Sequence, residues 1–261
     1  METTPQSERD VLVELRRLIT EFLYGGEGTP EVREYIASVY EDDSKLLIYL
    51  KGRKYRVNHA WETLKRKAEI ICNDYPEYFP ETLPKSAFQL INNHVYGALK
   101  ARDKLGRRII CFNAGKWDPK EISVDELAGV VTHHLDLMLT DEDVLSNGIV
   151  YIQNCEDIGM KHVKEYSLHR MLRMLDIFCY AYPIQIKGIY YLNVPFYARY
   201  VYKIIRPFLP KKIKERLIIS SNDQKFAALH DQLSPRILPK FLGGHLENEE
   251  AFDMTMLQHL Q

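Results

Sequence analysis

Little in this sequence is extreme, and what it lacks narrows it first. Among 261 residues there are 4 cysteines, Cys72, Cys111, Cys155 and Cys179, and no two form a CxxC pair. That spacing excludes a disulfide framework or a cysteine zinc motif and fits reduced thiols in an intracellular protein. Charge of one sign is lacking too: 35 basic against 36 acidic residues leave a formal net charge of −1, which argues against a dedicated nucleic-acid binder. No run reaches the roughly 18 uninterrupted apolar residues of a membrane-spanning helix. The start, Met1-Glu2-Thr3-Thr4-Pro5, is polar and acidic, unlike a signal peptide. A soluble, cytoplasmic monomer is the expectation.

Catalytic signatures are missing as well. There is no GxSxG elbow, no GxxxxGK(S/T) phosphate loop and no GxGxxG fingerprint. His133-His134 with Asp136 and Asp141 comes nearest to a metal cluster. Adjacent histidines on a helix point about 100° apart, however, and do not share an ion as an i, i+4 pair does. Glu156-Asp157 offers carboxylates, but such residues more often end a strand and cap the next element. No enzyme, metal or cofactor is expected.

What is present is apolar mass. Hydrophobic residues make up 46% of the chain, enough for a sizeable core. The 17 tyrosines are the unusual entry in the composition, because a broad ring with a hydrogen-bonding tip suits both cores and the wall of a mixed pocket.

The first eighty residues read as helices. Val11, Leu15, Leu18 and Phe22 recur at helical spacing until Gly25-Gly26, Pro30 opens a helix to about Tyr40, and Asp42-Asp43-Ser44 precede another that ends near Gly52. Asn58 is the expected cap of the longest stripe, Ala60 to Ile71. Pro76, Pro80 and Pro84 mark a connector between lobes of residues 1–80 and 85–246, with 247–261 as a tail. Beyond the connector, strands and helices alternate. Strands are expected at 95–101, 108–113, 148–155, 184–192 and 217–220, and helices at 123–139, 164–180 and from Asn193 and Pro195 onward. Crossovers of that length imply parallel neighbours, hence an α/β lobe with a mixed, largely parallel sheet covered by helices.

Residues 183–220 are the most informative. The helix after Pro195 carries Ala198, Val201, Tyr202, Ile205 and Leu209 along one side. Pro207 interrupts it, and Lys211-Lys212-Ile213-Lys214-Glu215-Arg216 follows. Two readings fit: a surface helix with a solvated charged face, or a lid covering a lipid while nearby cations meet anionic phosphates.

These residues also resemble a known family. Tyr182-Pro183-Ile184-Gln185-Ile186-Lys187-Gly188-Ile189, Asn193-Val194-Pro195-Phe196, the run Arg206 to Arg216 and Leu238-Pro239-Lys240-Phe241-Leu242-Gly243-Gly244 look like the CRAL-TRIO family of lipid-transfer proteins. Asp42 to Tyr55 resembles the family's N-terminal helical signature, and Asp103 to Arg108 its hairpin entry. The likeness runs from about residue 11 to 246, in order, and is nearest to the subgroup of the α-tocopherol transfer protein and cellular retinaldehyde-binding protein. It implies a sheet flooring an apolar cavity closed by a helical gate. By position, Ile149, Tyr151 and Gln153 face the cavity or its edge. Tyr166, Met174, Ile177, Phe178, Tyr182 and Ile184 line a wall, and Ala198, Tyr202, Ile205 and Leu209 form the gate.

Gln153 stands where an apolar residue is expected. It either hydrogen-bonds a ligand or a water, or lies at the strand rim. The resemblance also implies a phosphoinositide cleft of Arg53, Lys187, Lys212, Lys214 and Arg216, with Gln185 in place of a further lysine. The implied function is a carrier that holds one hydrophobic ligand and exchanges it transiently with phosphoinositide-containing membranes. The alternative is a phosphoinositide-responsive adaptor. Retinoid, tocopherol-like, sterol-like and phospholipid cargoes all fit.

Overall fold

The structure, a computed structural model, describes residues 7–221 and 226–259; the polar start Met1 to Pro5 lies outside them. Four helices open the chain: α1 (Glu8–Gly25), α2 (Pro30–Tyr40), α3 (Asp43–Gly52) and α4 (Val57–Glu69). Their ends follow local chemistry. Ser7 and Asp10 exchange side-chain and backbone hydrogen bonds at the start of α1, a capping box. Gly26 closes that helix in the left-handed region, at φ 74°. Asp42 caps α3 by accepting from the Ser44 N–H at 2.8 Å. One boundary differs from expectation: α4 begins at Val57 behind Arg56, with no side-chain cap, so Asn58 is not the cap. Lys54 and Tyr55 both take φ 55°, and the helix begins two residues sooner than the pattern implies. Val11, Leu15 and Ile19 pack against Ile36, Leu46, Leu50 and Leu64 to form this lobe's own core.

After a π-helical turn, Ile70–Asp74, the proline connector carries a single turn, Pro76–Tyr78, and leads to α5 (Lys85–Asn92). Then come β1 (Tyr96–Arg102), β2 (Arg108–Asn113), α6 (Val124–Met138), α7 (Glu142–Asn147), β3 (Ile149–Asn154), α8 (Met160–Val163), α9 (Leu168–Asp176), β4 (Ile186–Leu192), α10 (Arg199–Ile205), α11 (Lys211–Arg216) and β5 (Leu217–Ile219). The five strands stand in the order β1-β2-β3-β4-β5. The first pair is antiparallel and the rest parallel, the mixed sheet that the alternation implies. The single helix expected over 164–180 is broken. Ser167 accepts the Arg170 N–H at 3.3 Å and restarts the helix as α9, which ends in a π-helical turn, Ile177–Ala181. The gate helix α10 likewise starts later than expected, after a turn at 195–198.

Alternation gives the sheet two distinct faces. On one, register aligns Ile110, Tyr151, Ile189 and Leu217 in a row, and Phe112, Gln153, Tyr191 and Ile219 in the next. The other face presents Ile109, Cys111, Val150, Ile152, Tyr190 and Leu192 to Leu229, Leu238, Leu242 and Phe252. The segment expected as a tail therefore belongs to the fold where it is described. Phe252 bridges Leu99, the Asp253 N–H donates to the Ala98 carbonyl at 2.9 Å, and Asp253 pairs with Arg108. The second sheet face needs this cover.

The two lobes meet closely along α4 and the backbone at residues 182–183. Buried Lys67 pairs with Asp136 and sits 4.3 Å from the centre of the Tyr182 ring. Gly52 is the tightest contact, since a Cβ there would lie 1.8 Å from the Pro183 carbonyl oxygen. Gly52→Ala is expected to cost about 1–3 kcal/mol through forced displacement of the lobes. The check is the melting temperature, which falls by roughly 2–4 °C per kcal/mol in a domain of this size.

Candidate functional site

The row-forming face of the sheet floors a cavity of about 320 Å³. Its wall comes from α6 (Leu127, Val131, Leu135) and from α9 and the π turn (Met171, Met174, Leu175, Phe178). These follow helical spacing, so each element turns one apolar face inward. The roof is the gate: Ala198, Val201, Tyr202, Ile205 and Leu209 all line the chamber. No Asp, Glu, Lys or Arg stands among the lining residues described.

The residues assigned to the cavity from sequence separate into two groups. Ile149, Tyr151, Gln153, Tyr166, Met174, Phe178, Ala198, Tyr202, Ile205 and Leu209 lie in the lining. Ile177, Tyr182 and Ile184 do not; all three are buried in the main core. Phe178 continues the inward face of Met171, Met174 and Leu175 at ordinary helical spacing, and Ile177, about 100° round from it, lies in the core instead. The Tyr182 hydroxyl donates to the Thr132 carbonyl at 3.0 Å, which fixes it as a structural side chain. Sequence reasoning missed Ile189 and Tyr191, which period-2 alternation along β4 pointed to, and Met171 and Leu175, at helical spacing from Met174 and Phe178.

Gln153 is not at a rim. It is buried, accepts the Tyr151 hydroxyl at 2.9 Å and directs its amide to Cys155 Sγ at 3.7 Å. His162 has both ring nitrogens engaged: Nδ1 accepts the Gly159 N–H at 2.9 Å, and Nε2 faces the Trp117 carbonyl at 2.8 Å.

His134 lies behind Tyr96, its Nδ1 3.1 Å from the hydroxyl. Burial first, then Arg108 and His133, push its pKa down to about 4, against an opposing pull from Asp253. The unfolded chain, with histidine near 6.5, binds the extra proton between about pH 6.5 and 4. Stability is therefore complete above this window and is lost as pH falls through it, by up to about 3 kcal/mol. Carboxylates such as Asp141 and Asp253, already held below the usual range, titrate beneath it. The melting temperature is expected to drop between pH 7 and pH 5, with a shallower drop in His134→Gln.

A basic cleft lies outside the cavity, where β4, the start of α11, the hairpin between β1 and β2 and the end of α3 converge. Lys187 is part-buried here. Burial and then Lys54, Arg216, Arg107 and Lys212 lower its pKa, the signature of crowded like charges. Of the residues assigned from sequence, Lys187, Lys212 and Arg216 thus meet. Lys214 instead directs its ammonium to the Pro207 carbonyl at 3.4 Å. Arg53 is turned inward, donating to Thr63 Oγ1 at 2.7 Å and to the Tyr182 carbonyl at 2.6 Å, and burial lowers its pKa. Arg53 joins the lobes rather than lining the cleft. Lys54 and Arg107 take part in its place. Gln185 accepts Lys187 Nζ at 2.8 Å and donates to the Gly52 carbonyl at 3.3 Å, so the residue standing in for a lysine steadies the next cation.

Among the described residues no group of His, Cys, Asp and Glu is placed to hold a metal, and no helix is long and apolar enough to cross a membrane. The profile of the CRAL/TRIO domain matches residues 92–244. The chain is 26% identical over 234 residues to Clavesin-2 of Mus musculus, covering 87% of this chain and 70% of that one. It is 26% identical over 203 residues to the alpha-tocopherol transfer protein-like protein of Mus musculus, covering 78% of this chain and 58% of that relative, whose remaining length has no counterpart in the match. The crystal structure of Sfh5 superposes with a TM-score of 0.56 at 14% identity, over 97% of this chain and 93% of that one, a likeness of fold alone.

Proposed function

Because the chain belongs to the CRAL/TRIO domain family, we propose that it is a non-enzymatic carrier that encloses one hydrophobic molecule and exchanges it with anionic, phosphoinositide-containing membranes. The observation that carries this reading is a gate apolar on two sides. Ala198, Val201, Tyr202, Ile205 and Leu209 roof the uncharged chamber. Phe196, Tyr200, Ile204 and Phe208 of the same segment do not line the chamber and are 78%, 62%, 50% and 50% exposed. A surface helix of a purely soluble protein keeps its outer side polar, and a contiguous exposed apolar stripe marks a surface that meets another apolar phase. Removing apolar area from water yields about 25 cal/mol per Å², so a guest is held most tightly with the gate shut. An anionic surface opens the gate only by binding the open state more tightly. The cleft of Lys54, Arg107, Lys187, Lys212 and Arg216 supplies the charge.

The test is transfer of a fluorescent lipid from donor to acceptor vesicles. Lys187→Ala with Lys212→Ala is expected to slow transfer to phosphoinositide-containing acceptors roughly 30-fold, each clustered cation contributing about 1 kcal/mol near an anionic surface. Loading in the absence of membranes is expected to be unchanged. Equal loss of loading, or an equal rate to neutral acceptors, would separate the cleft from membrane exchange.

A further inference from the structure

The chamber has one wall that belongs to the core and one that does not. Of the 15 residues of α6, nine are buried, so that wall is fixed by packing. α9 lines the same chamber with Met171, Met174 and Leu175, yet among the described residues it has none that is buried. Its inward side chains face the cavity instead of a packed core. Two of them are methionines, unbranched and able to repack against differing surfaces.

What ties α9 to its surroundings is mainly charge. Arg170, Arg173 and Asp176 recur at intervals of three and so share one face. Each reaches a different element. Arg170 donates to Asp125, in the first turn of α6, at 3.2 Å, and to Glu165 at 3.1 Å. Arg173 donates to Glu77 of the connector at 2.6 Å and lies 4.8 Å from the centre of the Tyr75 ring. Asp176 accepts Arg66 Nε of α4 at 3.0 Å. The anchors are themselves firm. Tyr78 is buried and its hydroxyl donates to Asp125 at 3.0 Å, and Arg66 also holds Glu69 and Asp74. The three pairs from α9 are part-exposed; pairs of that kind contribute little each and are weakened by salt.

Both ends of α9 are breaks in helical geometry. Ser167 restarts the helix after the turn that follows α8, and the π-helical turn Ile177–Ala181 ends it. Ile177 and Ala181 are buried, so that turn is a firm mount for the nine residues before it.

We infer that α9 is a movable second wall, distinct from the gate. Its ion pairs hold it in place in the unloaded protein, and a guest draws Met171, Met174, Leu175 and Phe178 into a completed core, since removing their apolar area from water is favourable. Arg170, Arg173 and Asp176 are positioning residues that set how readily this wall yields, and hence how fast a guest leaves. This inference rests on the carrier reading and adds a second point at which the chamber gives way.

Hydrogen exchange read by mass spectrometry tests it, on the full chain either delipidated or loaded from a total lipid extract. In the delipidated protein the amides of 169–178 are expected to exchange about 100-fold faster than those of α6. Loading is expected to slow them about tenfold while α6 changes less than about twofold. Arg173→Met with Asp176→Asn cuts two pairs without stranding a buried charge, because Arg66 keeps Glu69 and Asp74 and Glu77 is 47% exposed. Each pair is worth up to about fivefold. Release of the loaded lipid to methyl-β-cyclodextrin, a neutral acceptor that does not engage the basic cleft, is therefore expected to quicken about tenfold. At about 1 M sodium chloride, where the Debye length is about 3 Å, the gap between wild type and variant is expected to narrow.

Faster release from the variant, together with loading that protects α9 selectively, would support the inference. α9 protected as firmly as α6 without lipid, equal slowing of both helices on loading, or an unaltered release rate in the folded variant would overturn it while leaving the carrier reading intact. If the double variant fails to fold, Arg170→Met takes its place with the same expected direction, since Asp125 keeps Tyr78. Retention of no lipid by the wild-type chain would overturn the carrier reading and this inference with it.

Discussion

Ala198→Trp is expected to reduce lipid loading by more than tenfold while leaving the fold in place. Ala198 begins the gate and lines the chamber, so an indole there projects into a space of only about 320 Å³. The guest then loses much of the apolar area it would bury, at about 25 cal/mol per Å². A loss of even 100 Å² is roughly 2.5 kcal/mol, and every 1.4 kcal/mol is about tenfold in affinity. The site is only part-buried, so the overpacking cost on the empty protein is small beside that loss. Far-ultraviolet circular dichroism checks the fold and fluorescent-lipid titration checks the loading. Unaltered loading in a folded variant would mean that the guest lies elsewhere.

Phe196→Ser with Phe208→Ser is expected to have a comparable effect on a different step. These two residues end the outward stripe and do not line the chamber. Burying a phenylalanine side chain is worth about 1.5–3 kcal/mol, and half of that for each ring at an interface still lowers membrane partition roughly 10- to 100-fold. Loading from detergent or solvent is expected to remain, while vesicle transfer and flotation with anionic vesicles fall. The contrast with the cleft variant is salt. Loss of Lys187 and Lys212 weakens a screened interaction that fades at high ionic strength, whereas loss of the two rings persists there.

How much of this was legible in the sequence depends on whether a feature is local. Capping by Ser7, Asp42 and Ser123, the proline break at Pro207 and the alternation along β3 and β4 are decided within a few residues, and the elements follow them. The alternation alone places Tyr151 and Gln153 on one sheet face. Ile177 is misassigned by position although the spacing of Met171, Met174, Leu175 and Phe178 already marks the inward face, Ile177 lying about 100° round the helix from Phe178. The cleft was the least legible part. Arg53 carries the same charge as Lys54, but two successive left-handed residues and the close approach of Gly52 to Pro183 decide which points inward. Arg107 reaches Lys187 only because the hairpin and the end of α3 converge on β4. Such placements belong to tertiary packing, and a linear pattern of cations does not contain them.

Native mass spectrometry of the intact chain after incubation with a lipid extract, before and after addition of acceptor vesicles, tests the central claim most directly. The expected spectrum shows one lipid per chain, with the added mass lost when acceptor vesicles containing phosphoinositide are supplied. An unshifted mass throughout, or a bound lipid that no acceptor removes, would contradict an exchangeable guest beneath the gate.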